Sequence, residues 1–396
     1  MKKILALCLA LCMIFALVAC GGSSAPASTT EAAPAAEAPA AEEAPAAEEA
    51  AEIHVAMISD YGDITDQSFN QTTYEACKAY CEANGLGDFT YFKPVGDSDE
   101  DRVSAIENAI DSGYNVLVMP GYAFAPAIAQ TVLDYSDVTF IALDVSEYDL
   151  TSAGLETLPA NLYSAIYQEE LCGYMAGYAA VKLGYTKLGF LGGMAVPAVV
   201  RYGYGFVQGA DAAAAESGAD VTLNYAYGNQ FYGDADITAA MDTWYGNGTE
   251  VVFACGGGIY SSAAEAAAKV DAKVIGVDVD QSFIIDGQYG EGMTVTSAMK
   301  GLGATVNTML AAVQNGEFAN YGGKVENLGL VSEDPDMNYV QLPSATTQFG
   351  EGFTVEDYEA LVAAMFNGEV AVGNDISASA ADYATVIAVN DQGNLK

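Results

Sequence analysis

A strand-like segment runs directly into a loop that carries polar side chains and one aromatic ring. Residues 53–59 hold the apolar run Val55-Ala-Met-Ile58, which is typical of a parallel strand covered on both faces. The loop Asp60-Tyr-Gly-Asp-Ile-Thr-Asp-Gln-Ser-Phe-Asn70 follows, and a helix is predicted over 72–83. Ligands of open α/β sheets bind at this end of the strands. A ring beside hydrogen-bond acceptors suits a flat polar solute such as a base joined to a sugar; the alternative is a capped loop with Phe69 in the core.

A second aromatic candidate lies in the other half of the chain. Phe231 is part of Gly228-Asn-Gln-Phe-Tyr-Gly-Asp234, whose residue types favour a loop. The simple alternative is a ring in the hydrophobic core. The flanking glycines, Asn229 and Asp234 favour a position in a cleft.

Three further features at predicted strand ends could do chemistry. Asp278 and Asp280 could form a metal or phosphotransfer pair, but alternate residues of a strand point to opposite faces, so only one readily enters a cleft. Lys300 ends an apolar strand in a chain with few basic residues; the alternative is a surface lysine. The glycine run 256–258 lacks the Gly-Lys-[Ser/Thr] ending of a phosphate-binding P-loop. We therefore interpret Gly257 as part of a tight turn that lets the backbone approach a ligand.

Catalysis and metal binding have little support in the sequence. There is no Gly-x-Ser-x-Gly motif, and the one histidine, His54, opens a strand instead of following one. No Cys-x-x-Cys pair occurs, which argues against zinc. Clustered carboxylates could still bind calcium and activate water, so a carboxylate-based nucleoside hydrolase stays open as an alternative.

The elements that must position these residues alternate between strand and helix. This order predicts right-handed crossovers, parallel sheets and two doubly wound lobes with the site between their strand ends. Beyond residue 53–59, strands are predicted at 115–119, 138–143, 187–191, 220–225, 251–254, 273–277 and 294–298. Helices are predicted at 102–112, 125–135, 164–183, 199–217, 234–245, 260–270, 301–314 and 355–366.

The first fifty residues predict that the protein is exported from the cytoplasm. Lys2 and Lys3 precede the apolar run 4–19, which is shorter than a membrane-spanning helix, so residues 1–19 are interpreted as a signal peptide. The following Leu17-Val-Ala-Cys-Gly21 resembles the lipobox of bacterial lipoproteins, which implies a lipid on Cys20; an ordinary secretory signal is the alternative. Residues 20–52, rich in Ala, Pro and Glu, are predicted to be a disordered linker.

The charge balance limits the partners. The chain has 53 acidic and 13 basic residues, a formal net charge of −40. Such acidity argues against nucleic acid and against docking on an anionic membrane surface.

Six phrases in chain order resemble the basic membrane protein (BMP) family of lipoproteins, the purine nucleoside-binding receptors of ABC transporters. They are Asp66-Gln-Ser-Phe-Asn70, Gly173-Tyr-Met-Ala-Gly177, Leu188-Gly-Phe-Leu-Gly-Gly-Met194, Phe206-Val-Gln-Gly209, Ile275-Gly-Val-Asp-Val-Asp-Gln281 and Thr296-Ser-Ala-Met-Lys300. The resemblance implies a type I periplasmic-binding-protein fold, an α/β architecture of two Rossmann-like lobes joined by hinge strands. With it we predict one lobe from 53–160 and 281–320, and the other from 161–280 and 321–396.

The resemblance also implies site residues. Phe69 and Phe231 correspond to rings that sandwich the base, Asp144 resembles a base-contacting carboxylate, and Asp60 and Asn70 add polar contacts. Asp278 and Lys300 correspond to residues that hold the ribose. Cys255-Gly-Gly-Gly258 departs from the family's Gly-x-Thr-Gly, which puts one hydroxyl contact and the ligand range in doubt.

The expected function is that of a lipid-anchored binding protein on the extracellular face of the cell membrane. It would deliver a purine nucleoside to an ABC permease, without a cofactor and without catalysis. A sugar or autoinducer-type receptor on the same fold is the main alternative.

Overall fold

A computed structural model describes residues 52–60 and 62–396 of the chain. The predicted signal peptide, the lipidation site Cys20 and nearly all of the predicted linker lie outside the described residues. None of the helices in the described part of the chain combines the length and the apolar character that crossing a bilayer requires.

The described residues form thirteen strands and eleven α-helices. The strands are β1 Val55–Ile58, β2 Thr90–Phe92, β3 Val116–Pro120, β4 Thr139–Leu143, β5 Leu162–Tyr167, β6 Lys187–Gly192, β7 Thr222–Tyr227, β8 Val251–Cys255, β9 Lys273–Asp278, β10 Thr294–Lys300, β11 Lys324–Leu328, β12 Val340–Gln341 and β13 Ala388–Asn394. The helices are α1 Phe69–Asn84, α2 Asp99–Asp111, α3 Ala125–Thr131, α4 Glu147–Ser152, α5 Glu169–Lys182, α6 Pro197–Ser217, α7 Ala235–Gly246, α8 Tyr260–Ala268, α9 Ser282–Tyr289, α10 Leu302–Gln314 and α11 Val355–Phe366.

Two sheets organise these elements. The first sheet has the order β11-β5-β4-β3-β1-β2 and is parallel throughout. The second sheet has the order β12-β10-β9-β8-β6-β7-β13, and only the short β12 runs antiparallel to its neighbour. Central strands such as β1 and β8 are buried along their whole length because helices cover both faces of a parallel sheet. The predicted doubly wound architecture is thus present.

Each sheet has a point where the direction of winding reverses. In the first sheet it lies between β1 and β3, and in the second between β6 and β8. The loops that leave the carboxyl ends of two such strands diverge and open a crevice, which is where doubly wound proteins bind their ligands. The fold therefore offers one crevice on each sheet.

The predicted lobe boundaries need correction. Strand β10 pairs with β9 in the second sheet, although 281–320 was assigned to the first lobe. Strand β11 pairs with β5 in the first sheet, although 321–396 was assigned to the second. The chain therefore passes between the sheets after β5, after β10 and after β11, and α10 returns to lie against α1.

Two helices of the second lobe pack with almost no side chains between them. A Cβ on Gly173 of α5 would lie 2.2 Å from the carbonyl oxygen of Tyr202 in α6. A Cβ on Gly205 of α6 would lie 2.1 Å from the carbonyl oxygen of Glu170. Only glycine allows this approach, and it brings the first turns of both helices together at the edge of the cleft described next.

Candidate functional site

A cleft of about 680 Å³, including space open to solvent, lies between the carboxyl ends of the two sheets. Small-molecule sites are typically concave and of this order of size. All eight residues predicted from the sequence line it: Asp60, Phe69, Asn70, Asp144, Phe231, Gly257, Asp278 and Lys300. The structure brings them together; their contacts with a ligand stay predictions.

The first wall is the loop after β1, and Asp66 organises it. The two carboxylate oxygens of Asp66 accept hydrogen bonds from the backbone N–H groups of Ser68, Asn70 and Gln71 at 2.9–3.0 Å. The side-chain amide of Asn70 also donates to Asp66, at 3.2 Å. This network satisfies free N–H groups at the start of α1 and fixes the positions of Phe69 and Asn70. Burial raises the pKa of Asp66, although these hydrogen bonds act to lower it.

Asp60 stands at the winding reversal of the first sheet. Gly121, directly after β3, has φ +126°. A Cβ on Gly121 would lie 2.0 Å from the Asp60 carboxylate. Glycine therefore meets two needs here, a backbone conformation that other residues avoid and the space for Asp60.

The second wall carries Phe231 on the loop after β7. The Phe231 carbonyl accepts a hydrogen bond from Gly258 N–H at 2.9 Å, which ties the loop to the glycine run after β8. Gly257 has φ +53°, and a Cβ there would lie 2.9 Å from the Phe231 carbonyl oxygen. A Cβ on Gly193, after β6, would lie 2.5 Å from the ring itself. The backbone of neighbouring turns thus determines where the ring stands.

Lys300, at the end of β10, is buried among carboxylates. Its Nζ lies 2.6 Å from Asp144, 3.3 Å from Glu169 and 3.8 Å from Asp278. The same nitrogen lies 4.7 Å from the centre of the Phe69 ring. Arg201 of α6 holds the other oxygen of Glu169 at 2.7 Å. We call these five charged residues (Asp144, Glu169, Arg201, Asp278 and Lys300) the Lys300 cluster.

Two members of the Lys300 cluster have unusual backbone conformations. Asp144 after β4 has φ +62°, and Asp278 at the end of β9 has φ +65°. Aspartate tolerates this left-handed region better than most residues, and such conformations concentrate at functional sites. Both carboxylates are thereby turned toward the cleft at strand ends.

Several polar contacts of the site cross from one wall to the other. Ser68 of the first wall donates to Asp278 of the second at 2.6 Å. Lys300 of the second sheet reaches Asp144 of the first. Within the second lobe, the hydroxyl of Tyr202 in α6 donates to Asp278 at 3.4 Å. A ligand in the cleft would therefore meet groups that both lobes hold in place.

The protonation of the Lys300 cluster follows from burial and charge. Burial raises the pKa of Asp144 to about 6, although Lys300 opposes the shift. Burial alone would also raise the pKa of Glu169, but Arg201 and Lys300 hold it below its usual range. Burial would lower the pKa of Lys300, whereas its three carboxylates keep it well above its usual value. At neutral pH Glu169, Lys300 and Asp144 are therefore charged, and Lys300 pairs with both carboxylates.

Two buried acceptors at the cleft have no partner among the described residues. They are one carboxylate oxygen of Asp144 and the amide oxygen of Asn70. The amide nitrogen of Asn70 faces Asp66, which fixes the oxygen as the unpaired atom. An unpaired buried polar atom costs stability, so each such atom is a place where a bound N–H or O–H group would be favourable.

Only one carboxylate of the Asp278 and Asp280 pair lines the cleft, as predicted, but for another reason: β9 ends at Asp278, so Asp280 lies beyond the strand. Its carboxylate accepts from Ser282 N–H and from the Thr346 hydroxyl, whereas Asp278 lines the cleft. Among residues 52–60 and 62–396 no group of three or more histidine, cysteine or carboxylate side chains is arranged to hold a metal ion. His54 precedes β1, at the end of the strand away from the site.

Sequence reasoning missed Glu169, Arg201 and Tyr202. Glu169 fell inside a helix predicted over 164–183, whereas β5 occupies Leu162–Tyr167 and α5 begins at Glu169. Arg201 and Tyr202 lie in the helix predicted over 199–217, which is present as α6. One signal was present: Arg201 is one of two arginines in the chain, and it opens an otherwise apolar helix. A lone cation in such a setting requires a buried partner.

Comparisons with known proteins agree with this geometry. Residues 53–351 match the model of the Bmp family, described as ABC transporter substrate-binding protein PnrA-like. The chain is 27% identical over 315 residues to the ABC transporter nucleoside-binding protein BmpA of Lactococcus lactis, covering 75% of this chain and 84% of that protein. It is 27% identical over 297 residues to basic membrane protein A1 of Borrelia garinii, covering 72% and 80%.

Solved structures support the fold. An ABC transporter solute-binding protein from Conexibacter woesei superposes with a TM-score of 0.62 at 22% identity, covering 81% of this chain and 99% of that one. Another from Aeropyrum pernix gives 0.61 at 21% identity, covering 84% and 90%. With these similarities the predicted type I periplasmic-binding-protein fold is confirmed.

Proposed function

Because this chain belongs to the Bmp family of PnrA-like ABC transporter substrate-binding proteins, we propose that it binds a purine nucleoside between its two walls. The observation that carries the proposal is the placement of Phe69 and Phe231. They come from different lobes and line one cleft. A planar base between two rings gains about 1–3 kcal/mol per stacked face, whichever purine it is. A relative, BmpA of Lactococcus lactis, bears the name of a nucleoside-binding protein.

The charges around the cleft favour a neutral ligand over a phosphorylated one. Among the described lining residues Lys300 is the one cation, and it already has three carboxylates as partners. Asp60 and Asp66 add further negative charge to the first wall. A phosphate group would meet repulsion there, whereas the hydroxyl and N–H groups of a nucleoside would find acceptors. Asp144 and Asn70 supply two acceptors that lack partners.

Delivery to an ABC importer is the second part of the proposal. A ligand that contacts both walls stabilises the conformation in which the walls are close, by its difference in affinity between the two conformations. A permease that recognises this conformation would accept loaded protein in preference to empty protein. We further propose that a lipid on Cys20 anchors the protein to the outer face of the membrane. Loss of membrane association in a Cys20→Ala variant would support the anchor; an unchanged membrane fraction would contradict it.

The test is calorimetry with a matched ligand panel. Inosine, guanosine and adenosine are compared with uridine, ribose, D-allose and the corresponding purine nucleoside monophosphates. The proposal expects binding of purine nucleosides and at least about tenfold weaker binding of the monophosphates, a difference of about 1.4 kcal/mol. Binding of a sugar without any response to nucleosides would contradict it and favour a sugar receptor. Release of free base and ribose during incubation would instead identify a hydrolase.

A further inference from the structure

The last part of the chain lies beyond the region that matches the family model, which ends at residue 351. After α11 the chain continues along the second lobe and ends in β13. We call residues 373–396 the C-terminal strap. It packs on α6 and β7, two elements that lead directly into the second wall of the cleft.

The C-terminal strap is fixed to α6 by side chains spaced along one face of that helix. Gln208 both donates to and accepts from the backbone of Gly373, at 2.8 and 2.7 Å. The Tyr204 hydroxyl donates to the Ala378 carbonyl at 2.7 Å. Asp211 accepts from the Thr385 hydroxyl at 2.6 Å and from three successive backbone N–H groups of the strap, those of residues 385–387. These bonds outweigh the effect of burial and lower the pKa of Asp211.

Strand β13 then extends the second sheet beside β7. The pairing is parallel, so the strap travels toward the carboxyl end of the sheet, where the cleft lies. Leu395 N–H donates to the Tyr227 carbonyl at 2.8 Å, at the last residue of β7. The Phe231 loop, residues 228–234, begins at the next residue.

The end of the C-terminal strap meets the other end of the Phe231 loop at Asp234. Lys396 forms an ion pair with the Asp234 carboxylate. The same carboxylate caps α7 through the N–H groups of Asp236 and Ile237, at 3.0 and 2.9 Å. It also accepts from the Gln230 side chain at 3.0 Å. Asp234 therefore joins the loop, the helix that follows it and the strap.

We propose that the C-terminal strap is a positioning element that holds the Phe231 loop in the arrangement that grips the ligand. The strap supports the loop at both of its ends, through Tyr227 and through Asp234. Its hydrogen bonds and its ion pair reach none of the eight residues predicted to contact ligand, so we expect its effect on binding to act through the position of Phe231. The part of this inference that concerns affinity rests on the proposed function; the part that concerns the loop does not.

The first test needs no ligand. Amide hydrogen exchange is measured for residues 228–233 in the wild type, in Lys396→Ala and in a chain that lacks 388–396. We expect at least about tenfold faster exchange of the loop amides in the shortened chain, because local opening governs exchange. Lys396→Ala is expected to show a smaller increase, and Lys396→Arg is expected to restore protection. Unchanged loop exchange in both altered chains would overturn the proposal.

The second test separates positioning from general destabilisation. Nucleoside affinity is measured for Lys396→Ala, Phe231→Ala and the double variant. We expect Lys396→Ala to weaken binding about threefold to tenfold, and to have almost no effect once the ring is absent, since coupled residues are not additive. Additive losses would overturn the positioning role. Lys182→Ala, which removes a surface pair with Glu216 in the same lobe, is the matched control. If the wild type binds no nucleoside, the proposed function fails while the exchange test still decides the role of the strap.

Discussion

The Lys300 cluster and the Phe231 loop border the same cleft, but they are held in place in different ways. Around Lys300, charged side chains from two strands and two helices hold one another. Around Phe231, the backbone of the turns at Gly193 and Gly257 sets the position of a ring that no charge holds. Side chains of the cluster are almost fully buried, whereas Phe231 is only partly buried at the cleft.

This difference predicts different consequences of substitution. Removal of one member of a buried ion network leaves other charges without a partner, which lowers the free energy of unfolding of the whole fold. Removal of the partly buried Phe231 ring leaves no charge without a partner and affects chiefly what the ring touches. Substitutions in the Lys300 cluster should therefore change both ligand affinity and the free energy of unfolding. Substitution of Phe231 should change chiefly ligand affinity.

The largest effect is expected for Lys300→Met. Three carboxylates would lose their shared cation, and we expect the free energy of unfolding to fall by about 3–5 kcal/mol, as for other broken buried pairs. Urea titration of the wild type and the variant measures it. Lys182→Met, at a partly exposed pair with Glu216, should cost less than about 1 kcal/mol. A loss for Lys300→Met as small as that of the control would show that the cluster is not a network.

The phenylalanine substitutions come next. Phe231→Ala and Phe69→Ala should each weaken nucleoside binding by about 1–3 kcal/mol, the value of one stacked base. Phe69 also lies against the Lys300 ammonium, so its variant should lose more unfolding free energy than Phe231→Ala. Calorimetry and urea titration on the same samples give both quantities. Phe283→Ala, which removes a largely exposed ring on α9, is the control. Unchanged affinity in both cleft variants, with the fold intact, would contradict the sandwich.

The contrast between these regions also explains what the sequence could reveal. Phe69, Asn70 and Asp278 lie in short local motifs at strand ends, so alternation of elements and motif spacing place them at the site. The partners Glu169 and Arg201 come from helices that meet through glycine contacts distant in sequence. Each helix carries glycines four residues apart, at 173 and 177 and at 205 and 209, but no local pattern says which two helices meet. Sequence reasoning therefore found residues of the cleft that lie on loops at strand ends, and missed residues that helix packing brings there; which of them contact a ligand stays a prediction.

The fold shows the same division. The helix over 355–366 was predicted with the bounds it has, because an apolar face and the Thr354 cap are local signals. Strands β11 and β13 were missed. They are edge strands with mostly exposed, polar residues, and their pairing depends on β5 and β7 far away in sequence. The misplaced lobe boundaries follow from β10 and β11, whereas β13 lies in the predicted lobe.

A pH dependence of binding sharpens the role of the cluster. Asp144 has a folded pKa of about 6, and Lys300, Glu169, Arg201 and Asp278 face it from β10, α5, α6 and β9. Below that pH the carboxylate is protonated and no longer offers a charged acceptor. We expect nucleoside affinity to fall by about tenfold between pH 7 and pH 5, as one ionisation with this pKa requires.

Stability should respond to Asp144 in the opposite sense. Because the pKa of Asp144 is higher in the folded state, this group stabilises the fold fully below the unfolded value of 3.8, and the stabilisation is lost as pH rises through about 6.

The pH dependence of nucleoside affinity is tested by calorimetry from pH 5 to pH 8 on the wild type and on Asp144→Asn. The variant should bind more weakly at pH 7 and show a flatter profile below it. An equally steep profile in the variant would assign the pH dependence to another group.

The smallest change in unfolding free energy is expected for substitutions at Glu169 and Glu170. These adjacent carboxyl groups have pKa values shifted in opposite directions. Burial raises the pKa of Glu170 to about 7; one of its oxygens accepts from Asn374 at 3.2 Å and the other has no partner among the described residues. Its contribution to stability is present below pH 4.5 and is lost as pH rises through 7. Glu170→Gln should therefore raise the free energy of unfolding at pH 8 by about 1 kcal/mol or more, because one pKa unit corresponds to about 1.4 kcal/mol. At pH 4 the substitution should leave the free energy of unfolding unchanged.

Glu169→Gln is the matched comparison, because it makes the same replacement of a carboxylate by an amide at the neighbouring residue. Arg201 and Lys300 hold the pKa of Glu169 low, so its contribution is present at neutral pH and is lost as pH falls. Glu169→Gln should thus lower the free energy of unfolding at pH 8, where Glu170→Gln raises it. Urea titrations of both variants at pH 4 and pH 8 measure the two signs. Equal signs at pH 8 would mean that pairing within the Lys300 cluster does not distinguish these two carboxylates.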